Sequence, residues 1–126
     1  MIEKKRKMTD VGDVKVHNDA IVSITKITIS KISGVVRINK SAFKNFLEII
    51  GADKMLNIAD GIRVVTTENG TKIALDIVVA YGADISELAS RVQDEVRQAV
   101  ERMTGITSVE VDVNVTGVEP DTGGSI

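Results

Sequence analysis

Residues 84–104 carry the pattern that most constrains this chain. Ile85, Leu88, Val92, Val96, Ala99, Val100 and Met103 recur mostly three and four apart, which lines them along one face of an α-helix. Asp84 and Glu87 have capping-box spacing, and Gly105 follows the last turn, where a left-handed residue ends a helix. Ile106 would then meet Val100 across a Schellman turn. On the other face Glu87 precedes Arg91 by four residues and Arg97 precedes Glu101 by four. Such pairs are worth about 0.2–0.5 kcal/mol each and mark a solvated surface. An amphipathic helix needs a second layer, and its flanks supply one. Val109, Val111, Val113 and Val115 alternate with Glu110, Asp112, Asn114 and Thr116, the pattern of a strand buried on one side. Strand 71–81, helix 84–104 and strand 108–116 therefore form a β-α-β unit. Its crossover should be right-handed if both strands share a sheet.

Upstream, Asn69-Gly70 signals a tight hairpin, because both central residues of the favoured turn take positive φ. Placing Glu68 opposite Thr71 sets a register in which Ile62, Val64 and Thr66 share a face with Ile73, Leu75 and Ile77. That face continues through Val79 and Tyr81. The second face carries Arg63 opposite Asp76, with Val65, Thr67, Lys72, Ala74, Val78 and Ala80. A slip of one residue would exchange the faces, so burial pins the register.

The first half alternates poorly. Ile21, Ile24, Thr25, Thr28, Ile29 and Ile32 cover one arc of a helix over residues 20–32, capped by Asn18 and Asp19 and stopped at Gly34. Residues 35–38 read as a short strand. Phe43, Phe46, Leu47 and Ile50 read as a helix over 41–50, and residues 52–61 as a loop with a turn of helix near Met55. Residues 1–12 are a basic tail and 119–126 an acidic, Gly-containing one, leaving a single domain over 13–118. The expected fold is α+β: a mixed sheet of three to four strands with two main helices packed on one face, containing the C-terminal β-α-β unit. Its core is expected to hold Ile21, Ile24, Val36, Phe46, Val64, Leu75, Ile77, Val79, Leu88, Val92, Val96, Val100, Val109, Val111 and Val113. A chain of 126 residues can bury about 65% of its unfolded surface without staples.

Composition bounds the chemistry. There is no cysteine, so no disulfide framework, thiolate zinc site or cysteine nucleophile. One histidine excludes a two-histidine metal motif within the chain. The only aromatics, Phe43, Phe46 and Tyr81, are too few for stacking platforms. A net charge of −2 gives no general attraction to nucleic acid. No apolar run nears about 20 residues and no signal peptide opens the chain, which reads as cytoplasmic without direct membrane insertion.

No motif of established chemistry is present. The sequence lacks a P-loop, a dinucleotide-binding GxGxxG, a GxSxG elbow and the GxxG clamp of KH modules. His17 reads as a surface residue at a strand-to-helix junction. Glu110, Asp112 and Asn114 share a strand face but lack the clustered loop and glycine turn of a calcium site. Gly82-Ala83-Asp84 precedes a helix N-terminus, yet the Asp84 carboxylate repels an anion there. The residues thus assign no catalytic group, cofactor or metal. Two surfaces stand out. Arg63, Val65, Ala74, Asp76, Val78 and Ala80 form a candidate interface on the second hairpin face. Lys4, Lys5, Arg6 and Lys7 form a candidate electrostatic contact, and Lys26, Lys31, Arg37, Lys40 and Lys44 extend the basic bias of the first half.

The segment YGADISELASRVQDEVRQAVERMTG, followed by the alternating valine strand, resembles the bacterial alkaline shock protein family, also called the envelope stress response family. The upstream GVVRI, the segment from Phe43 to Gly51 and the strand Gly61-Ile62-Arg63-Val64 fit its pattern in order, so the likeness covers about residues 13–118. Thr25, Thr28 and Ser30 depart from the Ala and acidic residues expected in the first helix. The resemblance implies small cytoplasmic α+β proteins with no catalytic activity generally assigned and no catalytic residues to carry over. Some members self-assemble, some are held near the membrane by a separate anchor protein, and others are linked to envelope homeostasis or lipid synthesis. The expectation is a non-enzymatic envelope-stress scaffold or adaptor, partnered by itself and by a membrane-anchor protein, which would hold it peripherally at the membrane. The alternative is a small regulatory module that binds nucleic acid or anionic lipid through its basic first half.

Overall fold

The computed structural model describes residues 16–40 and 56–121, and for 56–59 the backbone alone. Two helices, α1 (Asn18–Ser30) and α2 (Ile85–Thr104), accompany five strands: β1 (Val35–Ile38), β2 (Leu56–Ala59), β3 (Ile62–Thr67), β4 (Gly70–Ala80) and β5 (Val109–Glu119). The α+β class, the mixed sheet and the C-terminal β-α-β unit are those expected. β2 adds a strand within the stretch that reads as a loop. The expected helix over 41–50, the turn near Met55, the core position Phe46 and the basic residues Lys4 to Lys7 and Lys44 lie outside the described residues.

β4 is the central strand. β5 runs parallel to it along one edge, while β3 and then β1 pair antiparallel along the other, and β2 pairs with β3. Ile62, Val64, Ile73, Leu75, Ile77 and Val79 point to one face, and both helices pack there through Ile21, Val22, Ile29, Leu88, Val92, Val96 and Val100. Val109 and Val111 close the β5 side, with Val113 and Val115 partly buried. Burying each such aliphatic side chain contributes about 1.5–3 kcal/mol, so this layer contact is the main source of stability. Thr25, fully buried in α1, is tolerated because its hydroxyl donates to the Ile21 carbonyl at 2.8 Å.

The helix ends follow local chemistry. The Asp84 carboxylate accepts from the Glu87 N–H at 3.2 Å, and Gly105 sits at φ 80. The Schellman turn expected at Ile106 is replaced. The Thr104 hydroxyl donates to the Val100 carbonyl and accepts the Ile106 N–H at 3.1 Å, taking the donor that turn would use. Arg97 pairs with Asp94 at 3.3 Å rather than with Glu101, whereas Arg91 meets Glu87 as expected. α1 begins at an exposed His17 that makes no side-chain cap bond, and Asn18 instead accepts from the Thr66 hydroxyl.

Three expectations about the strands need correction. Thr67 lies opposite Gly70 and Arg63 opposite Ala74, so the hairpin register is displaced by two residues from the one that puts Arg63 opposite Asp76. The displacement leaves each side chain on its expected face, because the strand period is two. Its cause is local: the Thr67 hydroxyl accepts the Asn69 N–H, centring the turn on Glu68-Asn69, and Gly70 presses against Ser108. The turn with positive φ at both residues is Asp60-Gly61, joining β2 to β3. Tyr81 does not extend the core face but stands 82% exposed, beyond the end of β4. In β1 the register shifts between Val35 and Arg37, so Val36 falls at the irregularity and Val35 packs against the core in its place.

Candidate functional site

The sheet face turned away from the helices holds the six candidate interface residues. Arg63, Asp76, Val78 and Ala80 on it are buried, and Val65 and Ala74 are half-buried. Asp76, Val78 and Ala80 lie on β4, where strands paired along both edges flank their side chains. Val78, 2% exposed, stands beside Gly117 of β5. The accessible part of the face is a depression of about 570 Å³ lined by Arg63, Val65, Lys72, Ala74, Asp112 and Asn114, and it reaches the sheet edge at Gln93 and Val113.

Charges of both signs line it. The Arg63 guanidinium lies 3.8 Å from the Asp76 carboxylate, and both side chains are less than a tenth exposed. Burial pulls the Arg63 pKa below its ordinary value, and Asp76 and then Asp112 oppose that shift. Asn114 donates to Asp76 at 3.0 Å, and Lys72 pairs with Asp112 at 3.6 Å. Glu110, Asp112 and Asn114 share the face, but Asp112 and Asn114 are committed to separate partners. Among the described residues no group of three His, Cys, Asp or Glu side chains could hold a metal ion.

Among the described basic residues of the first half, Lys26, Arg37 and Lys40 line one depression with Asp60, and each meets a carboxylate. Lys26 bonds Asp60 at 2.8 Å with Lys40 at 3.9 Å, and Arg37 bonds Glu119 at 2.7 Å. The Lys26 ammonium, followed by Lys40, holds the Asp60 carboxyl below its usual range, and Glu119 raises the Arg37 pKa. The pairing of Lys72 with Asp112 escaped the sequence reading, because the offset of a parallel pair is not set by a turn. A signal for the bulge was present: apolar spacing of two through Val115 becomes three at Val118, and the β5 register shifts there, leaving Thr116 as the extra residue.

The model of the alkaline shock protein 23 family, a family described as having a cell envelope-related function, matches residues 6–120. The chain belongs to the alkaline shock protein family. This is the family that the helix-and-valine-strand segment resembles. The chain is 25% identical over 122 residues to the uncharacterized protein YqhY of Bacillus subtilis, covering 97% of this chain and 88% of that one. It is 30% identical over 113 residues to the uncharacterized protein Spy1614 of Streptococcus pyogenes, covering 88% and 91%. A stress response regulator gls24 homolog of Streptococcus pyogenes is 24% identical over 111 residues; these are 86% of this chain but 59% of that longer protein. No solved structure matches the chain significantly. Membership of this family and these stress-response relatives make this an envelope stress-related protein. Among the described residues no helix is long and apolar enough to cross a membrane.

Proposed function

We infer that the protein is a non-enzymatic scaffold or adaptor of the envelope stress response, which associates with its own copies and with a partner that holds it near the membrane. The outer-face depression carries this reading. Its floor includes the half-buried Val65 and Ala74, and its rim carries Lys72 and Asp112. Small apolar groups ringed by charges of both signs suit a reversible contact rather than an obligate one. A surface of this kind can complement its own copy about a two-fold axis. The envelope-related family and the stress-response relatives support the setting. The rival reading, a binder of nucleic acid or anionic lipid, draws little from the described residues of the first half, where Lys26, Arg37 and Lys40 are engaged by carboxylates.

The test uses two differently tagged copies, with capture of one by the other. Val78 is too buried to serve as a probe, so the variant is Ala74→Glu. Wild-type copies should capture each other, and the variant should lose most of that capture while its circular dichroism is unchanged. Wild-type copies that fail to capture each other at high concentration, and that retain no partner from native membranes, would contradict the reading.

A further inference from the structure

We propose that the outer edge of β5 pairs with the same edge of a second copy, antiparallel about a two-fold axis at Val113, merging two five-stranded sheets into one. The proposal rests on the self-association reading and adds to its outer-face contact a second one, along the sheet edge that the depression reaches at Val113. β4 residues 71–75 pair with β3 on one edge and β5 on the other, and among the described residues β5 pairs with β4 alone. β5 is 11 residues long, while β1 and β2, towards the opposite margin, have four each.

The direction of the backbone groups follows from two bonds. In a parallel strand the N–H and C=O of one residue face the same neighbour, and successive residues alternate. The Ser108 carbonyl accepts from the Thr71 N–H at 2.8 Å, so even-numbered residues here face β4. Val109, Val111, Val113 and Val115 therefore turn their backbone groups outward. The Val111 carbonyl agrees: it accepts from the side-chain amide of Gln93, which reaches down from α2 at 3.0 Å. Outward N–H and C=O groups along a strand are a template for another strand. Two usual guards, lysine and proline, are missing from residues 109–115, whose only charges are Glu110 and Asp112, and Gln93 takes one lone pair of the Val111 carbonyl and leaves the other. The bulge comes later, at Thr116.

The side chains favour a second copy. An axis at Val113 sets Val111 opposite Val115, Asp112 opposite Asn114 and Glu110 opposite Thr116. Outward-facing residues then meet outward-facing residues, valine meets valine, and no acid faces an acid. An axis one residue earlier would set Asp112 against Asp112, which costs free energy. The helix layer agrees. Ala89 and Ile85 lie four and eight residues before Gln93, on the α2 flank that overhangs this edge. Ile85 is 44% exposed there, and the same flank of the second copy would cover it.

The native chain has no cysteine, so Val113→Cys places one thiol at the axis. Directly paired antiparallel residues have Cα atoms about 5.5 Å apart, within disulfide range. Glu110→Cys is the control, since its two copies would lie about 20 Å apart. Under mild oxidation Val113→Cys should give at least ten-fold more covalent dimer than Glu110→Cys, and Ile85→Lys should weaken wild-type dimerisation in sedimentation. If folded Val113→Cys does not cross-link while wild type still associates, the edge is wrong and self-association stands on another surface. If wild type is strictly monomeric, both fail. Slow amide exchange at Val111, Val113 and Val115 in a monomeric sample would also overturn the proposal, because another segment of the same chain would already occupy the edge.

Discussion

Asn114 donates to the Asp76 carboxylate at 3.0 Å across the parallel β4–β5 pair, through the same oxygen that lies 3.8 Å from the Arg63 guanidinium. One buried carboxylate thus ties β5 and β3 to β4 on the face opposite the helices. Removing one partner of a buried pair leaves the other charge poorly compensated, at a typical cost of about 3–5 kcal/mol. Asp76→Ala should lower stability by about 3 kcal/mol, the low end of that range, because the contact with Arg63 is loose. Asp76→Asn should cost less, since an amide oxygen can still accept from Asn114. Urea denaturation of the three proteins checks the order, and equal midpoints for Ala and Asn would refute it.

Gly70 and Gly105 both take positive φ, yet they differ in surroundings. A Cβ on Gly105 meets nothing within 4 Å, whereas on Gly70 it would lie 2.5 Å from the Ser108 carbonyl oxygen. Gly105→Ala should cost about 1–2 kcal/mol of backbone strain. Gly70→Ala should cost more, because that carbonyl holds the Thr71 N–H and cannot retreat freely. Thermal melts of the two variants decide it: a smaller drop for Gly70→Ala would show that β5 yields at Ser108.

Asp60 sits at φ 55 in the β2–β3 turn, with Lys26 and Lys40 holding its pKa down. A depressed folded-state pKa stabilises above the unfolded value, about 3.9, and that contribution is lost as pH falls through the folded pKa. Asn tolerates the same left-handed backbone, so Asp60→Asn removes the charge and keeps the turn. The variant's stability relative to wild type should improve as pH drops from 7 to 3. A gap between the two urea midpoints that stays constant over this range would mean the carboxylate contributes nothing through its charge.

The β-α-β unit was readable because its signals are local: a helical stripe, a carboxylate cap at Asp84 and a period-two valine run. β2 was hidden because its four residues are shorter than a clear alternation, although Asp60-Gly61 carried the hairpin signal. Asn69-Gly70 carried a similar signal and folds otherwise, because the Thr67 hydroxyl and the approach of Ser108 recentre that turn. Face assignments survived the two-residue displacement; cross-strand partners did not. The burial of Val78 and Ala80 was not legible, since small apolar residues alternate alike on a covered and an open face. The Lys72–Asp112 pair depends on parallel register, which neither strand specifies alone.

The most direct test of the account is sedimentation velocity of the intact wild-type chain over a wide concentration range, beside folded Ala74→Glu. The wild-type mass should rise above 13.5 kDa with concentration while the variant stays lower at every step. A wild-type mass that remains 13.5 kDa at the highest concentration, indistinguishable from the variant, would contradict it.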